Sequence, residues 1–144
     1  MTKCNTVKEL LYDEDFKYCE DYELWTRMAE HAKVANLPDY LLSYRVHGEN
    51  SSSLNHKTVK QNVIALLSRE LDKIDVVHSV EELMLHATIC FGTAPMLLRN
   101  KEKQKAMRKW FDKVFASPVL NQLYDKDWLL HFRKNILRKY CGIC

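Results

Sequence analysis

Glycine and proline are scarce in this chain, three of each in 144 residues. All-β folds need far more of that turn chemistry, so they are excluded and helices must dominate. No apolar run approaches the length of a membrane-spanning helix. The first residues, Met1-Thr2-Lys3-Cys4-Asn5-Thr6, lack the apolar core of a signal peptide, which makes the cytoplasm the expected location. The five cysteines (Cys4, Cys19, Cys90, Cys141 and Cys144) are scattered and odd in number, so they form no disulfide framework. Cys141 and Cys144 make one terminal C-x-x-C, only half of a zinc site. Asn50-Ser51-Ser52 fits a glycosylation acceptor, a match without meaning in an unexported chain.

The apolar and charged fractions, 47% and 28%, are those of an ordinary globular chain rather than a disordered one. The length suits one domain able to bury a core. A net charge of +3 hides an asymmetry. Residues 1–53 hold six Lys/Arg against ten Asp/Glu, while residues 101–144 hold eleven against four. The acidic chemistry lies at the front and a basic block at the back.

Hydrophobic periodicity predicts a helix over about 20–32, with Leu24, Trp25, Met28, Ala29 and Ala32 on one face. Glu20, Asp21 and Glu23 fill its first turn, where free N–H groups and the helix dipole favour negative charge. Residues 33–38 read as a short extended segment stopped by Pro38, and 41–46 as a second strand with Tyr44 and Val46 on one side. Two such strands form no stable sheet without partners. Further helices are expected over about 55–73, 80–91, 100–116 and 125–140. Ser79 and Glu82 form a capping box for the second of these, and Pro118 breaks the chain before the last.

One ordered set of residues carries more information than the rest. It runs Asp13-Glu14-Asp15-Phe16, then Glu20-Asp21-Tyr22-Glu23-Leu24-Trp25, Asn36-Leu37-Pro38, Tyr44-Arg45-Val46-His47 and the serines 51–53. This set resembles the end of the catalytic domain of family-2 glycosyltransferases, inverting sugar-nucleotide enzymes with the GT-A fold. The resemblance covers about residues 10–53. It implies an α+β chain, predominantly α-helical. Residues 1–53 would form an incomplete GT-A end of one helix and two short strands, and 54–144 an extension of about four helices.

The resemblance also implies roles. Asp21 would be the base that takes the acceptor hydroxyl's proton, with Glu20 orienting acceptor or base. Tyr22 and Trp25 would wall the acceptor and could raise the proton affinity of Asp21 by desolvation. Arg45 would neutralise donor diphosphate. His47 would ligate a divalent metal, Mn or Mg, in the complete enzyme, although this chain alone would not bind it. Other readings stay open for each. The acids cap a helix, His47 bonds a loop carbonyl, and Arg45 lies on a solvated face.

The family's Asp-x-Asp and its nucleotide-binding half are absent from these residues, and Asp13-Glu14-Asp15 stands too close to Glu20-Asp21 to replace the motif. The isolated chain is therefore expected to be inactive, with a nucleotide-sugar donor and a glycan acceptor as partners of the whole enzyme. The last helix sets Arg133, Lys134, Arg138 and Lys139 opposite Trp128, Phe132 and Ile136. That pattern suits a core-facing helix or one lying on the inner face of an anionic membrane. No nucleic-acid module accompanies the basic block. The alternative to the transferase is a non-enzymatic helical module that docks a partner or a membrane.

Overall fold

The structure, a computed structural model, describes residues 10–43, 55–91 and 100–141. Among them a 3₁₀ turn, Glu14–Phe16, precedes six α-helices. These are α1 (Glu20–His31), α2 (His56–Asp72), α3 (Val80–Cys90), α4 (Lys101–Phe115), α5 (Pro118–Leu123) and α6 (Lys126–Cys141). The chain gathers into two compact units, Met1–Val63 and Ile64–Cys144.

The expected α+β architecture does not form. No strand occurs among the described residues, and the described chain of the two expected strands is irregular at 33–38 and 41–43. Leu41 and Leu42 are 71% and 84% exposed, so neither packs on anything there. Residues 44–46, the rest of the second expected strand, lie outside the described residues. The physical reason is that a helix satisfies its own backbone, whereas a strand exists only as one rung of a ladder. Without a pairing edge, water remains the better partner for these N–H and C=O groups.

In the second unit the helices start and stop where local chemistry dictates. Ser79 accepts from the Glu82 amide at 3.2 Å while Glu82 reaches back to the Ser79 amide at 2.9 Å, so both members of the capping box are present. Asn100 caps α4, and Asp125 accepts from the Trp128 amide at 2.9 Å in α6. The break read at Pro118 is present, since α4 ends at Phe115, and Pro118 also opens the short helix α5, which was not expected. Ser117 caps that helix, and proline at its first position gives up an N–H that would have had no partner anyway. Ser117 also donates to the Ile74 carbonyl at 2.6 Å, which accounts for a buried hydroxyl. The buried side chains of this unit include Leu66, Leu71, Leu83, Met107, Trp110 and Leu137. Helices α4 and α6 pack against each other, and Arg133 joins Asp112 across them. Lys113 on α4 holds Glu82 on α3 at 2.9 Å. Burial pushes the Glu82 carboxyl up, but the Lys113 ammonium and the Ser79 amide outweigh it and leave it below the usual range.

The last helix departs from expectation in which side it buries. Leu129 and Leu137 face the core, whereas Trp128 and Phe132 of the apolar stripe are exposed.

Candidate active site

The first unit is organised by a buried carboxylate that periodicity alone did not single out. Glu23 is fully buried in α1 and takes bonds from Arg27 Nε at 2.7 Å and from Nη2 at 2.7 Å. Trp25, expected on the buried face, is instead 58% exposed, and only Leu24 of that apolar set is buried. The charge pair explains this inversion. A buried carboxylate is tolerated when a guanidinium one turn later closes on it with forked geometry. The hydrogen bond that Arg27 donates to Glu23 also keeps the guanidinium above its ordinary proton affinity.

Arg27 has a second task. Its Nη2 donates to the Leu11 carbonyl at 2.7 Å, which ties the chain entering the 3₁₀ turn back onto α1. At the other end of that turn, Asn62 on α2 donates to the Lys17 carbonyl at 2.9 Å. Between these anchors Asp13 accepts from the Asp15 amide at 3.0 Å and caps the turn. Tyr18 then takes a left-handed φ of 64°, an uncommon conformation for a bulky residue that costs on the order of 1 kcal/mol. It reverses the chain just before α1 begins.

The pinned segment and the start of α1 border an open surface cleft of about 440 Å³. Tyr12, Asp13, Glu14, Lys17, Tyr18, Glu20 and Asp21 line it. The Tyr12 hydroxyl donates to Asp21 Oδ1 at 3.2 Å. The negative charge of Asp21, then that hydrogen bond, hold the Tyr12 phenol above its usual proton affinity, so it stays a donor. One oxygen of Asp21 is thus engaged and its orientation set. Glu20 Oε2 is shut off from solvent and has no hydrogen-bond partner among the described residues. A buried acceptor left this way costs about 1–3 kcal/mol and calls for an explanation.

Of the residues expected from sequence, Asp21 and Glu20 come together on this cleft. Tyr22 and Trp25 are exposed on α1 and do not line it, and its aromatic walls are Tyr12 and Tyr18. Arg45 and His47 lie outside the described residues. Sequence reasoning missed Tyr12, Tyr18 and Lys17 as lining groups. The only available signal was their density of rings beside acids, because the left-handed turn at Tyr18 has no glycine to announce it.

The acids here do not fit a resident divalent cation. One oxygen of Asp13 caps the turn and one of Asp21 is bonded to Tyr12, and among the described residues no group of three or more His, Cys, Asp or Glu could hold a metal. What the cleft can do is accept hydroxyl protons and hold a ring. An ionised carboxylate offers several acceptor sites, and a tyrosine edge packs well on an amphipathic face. No helix among the described residues is long and apolar enough to cross a membrane.

No protein-family model matches the chain, and no solved structure matches it. Over 94 residues it is 31% identical to a protein of Haemophilus influenzae (strain ATCC 51907 / DSM 11121 / KW20 / Rd) that bears the name uncharacterized glycosyltransferase. The match covers 58% of this chain and 29% of that protein. The chain therefore spans less than a third of the relative's length.

Proposed function

We propose that these residues form the acceptor side of an inverting glycosyltransferase, one that moves a sugar from a nucleotide sugar to a cell-surface glycan at the cytoplasmic face of the membrane. The observation that carries this reading is the cleft in which Asp21, oriented by Tyr12, stands beside the under-satisfied Glu20. The named similarity to a glycosyltransferase supports it from a separate direction.

In this reading a glycan hydroxyl enters the cleft and bonds to Asp21, with Glu20 lining the cleft beside it. As the acceptor oxygen attacks the anomeric carbon, its proton passes to Asp21. The bond from that carbon to the diphosphate oxygen breaks, and the nucleoside diphosphate leaves with the electron pair. Tyr12 and Tyr18 hold the acceptor, with Tyr22 and Trp25 extending the surface along α1 for a longer glycan. The nucleotide-binding half has to be supplied by chain other than these residues. Arg45 would face the donor diphosphate, and His47 would contribute to a Mn or Mg site whose other ligands come from that half. Without it, residues 1–144 bind acceptor and turn over no donor.

Ligand-observed NMR tests acceptor binding directly. Oligosaccharides released from the surface of cells carrying the gene should receive saturation from the 144-residue chain, and Tyr18→Ala should abolish the transfer. Equal transfer from the parent and from Tyr18→Ala would remove the cleft from the account.

A further inference from the structure

The outer side of α6 carries a feature that the acceptor cleft does not use. Tyr124, just before the helix, stacks on Trp128 with ring centroids 5.4 Å apart and planes at 21°. Trp128 stacks in turn on Phe132 at 5.0 Å and 11°. The three rings recur every fourth residue, so they form one ladder along the helix. Trp128 is 49% exposed and Phe132 is 44% exposed, although Leu129 and Leu137 already supply the buried face of α6. The helix therefore has two apolar sides, one packed and one partly open, with Phe132 meeting Phe115 of α4 edge-on at 6.3 Å.

What could cover the open side follows from ring geometry and charge. The inner ring faces are taken up by their neighbours in the stack, so the ladder turns edges outward and offers few faces for a base or a sugar to stack on. Lys139, grouped from sequence with the cations opposite the rings, in fact lies on their side of α6 about two turns beyond Phe132, while Arg138 sits roughly 120° round the helix from that ring. Both are exposed. Arg133 is committed to Asp112, and Lys134, exposed one turn before Arg138, lies away from the rings. The surrounding block, residues 101–144, holds eleven Lys/Arg against four acids. Aromatic side chains with a polar tip, followed by long cationic side chains, match the boundary between headgroups and acyl chains of an anionic bilayer.

We infer that the Tyr124–Trp128–Phe132 ladder and the adjoining Arg138 and Lys139 dock the chain on an anionic membrane surface. The rings enter the interfacial layer edge first while the cations remain among the lipid phosphates. The attachment is peripheral and weakens with salt, because the electrostatic part is screened within about 8–10 Å. It is independent of the acceptor cleft.

The full chain is sedimented with vesicles of phosphatidylcholine alone and of phosphatidylcholine mixed with phosphatidylserine. The chain should pellet with the mixed vesicles and be released by added salt. Trp128→Ser should lower that partition. Exchange of Arg138 and Lys139 for glutamine should lower it roughly thirtyfold, at about fivefold for each cation near the surface. The glutamine pair touches only exposed side chains, so it carries the test if Trp128→Ser misfolds. Failure to pellet, or pelleting that these variants leave unchanged, would overturn the inference. So would an ultracentrifugation result in which Trp128→Ser dissolves a dimer, or binding to single-stranded nucleic acid in place of lipid.

Discussion

Acidifying the protein should destabilise its second unit through one half-buried histidine. His86 on α3 sits edge-on to Trp110 and Phe111, with centroids 6.0 Å and 5.7 Å away, and its buried Nδ1 has no hydrogen-bond partner among the described residues. Burial pushes the imidazole down to about 4 from an ordinary 6.5. Between those limits the unfolded chain binds a proton that the folded chain refuses, so stability falls as pH falls through the window. At about 1.4 kcal/mol per pH unit the full gap is worth about 3 kcal/mol. The residual solvent access of the ring reduces the expected loss to about 2–3 kcal/mol. His86→Leu, close in volume, should be about 1 kcal/mol more stable than the parent near neutral pH and should flatten the pH dependence. Urea titrations followed by circular dichroism, run at steps from about pH 7 to about pH 4.5, measure both. Glu82, whose carboxyl is held low by Lys113, contributes its own loss only below the ordinary carboxylate range. Parallel pH profiles for the parent and His86→Leu would refute the argument.

Two further perturbations test the scaffold. Arg27→Met leaves Glu23 buried without its guanidinium and releases the Leu11 carbonyl, so it should cost roughly 2–4 kcal/mol in urea denaturation. A change under 1 kcal/mol would mean that the pair is not what organises the first unit. Ser79→Ala removes half of the capping box and should cost about 1 kcal/mol, with Glu82→Gln milder because it keeps a side chain that can accept from the Ser79 amide.

The helices were legible because each one's evidence is local. Val63, Leu66, Leu67 and Leu71 recur on one face of α2, Met107, Trp110, Phe111 and Val114 do so on α4, and all are buried. Ser79 with Glu82 announced the start of α3. The strands were misread because alternation at 41–46 says which sides a strand would show and nothing of whether a partner exists. Trp25 was assigned to the packed face of α1 by period alone, and a period has no way of weighing a buried Glu23–Arg27 pair against an indole. Pro118 was read as a stop because its ring forbids helix interiors, while the same ring suits a first turn capped by Ser117. The acids at 20 and 21 stood out through their order relative to neighbouring aromatics. The cleft around them did not, since it depends on Arg27 reaching Leu11, on Asn62 reaching Lys17, and on a left-handed tyrosine.

The central claim is that Asp21 takes a proton from a glycan hydroxyl, and an amide in its place tests this most directly. Asp21→Asn preserves the shape and a carbonyl acceptor for Tyr12 but removes the base. In cells carrying the gene, mass spectrometry of released surface glycans should show the variant lacking one sugar, in line with a loss of roughly 10²–10⁴-fold in rate. Asp15→Asn, exposed on the 3₁₀ turn and outside the cleft lining, should leave the glycans unchanged. Glycans identical to the parent's in the Asp21→Asn cells would contradict the account.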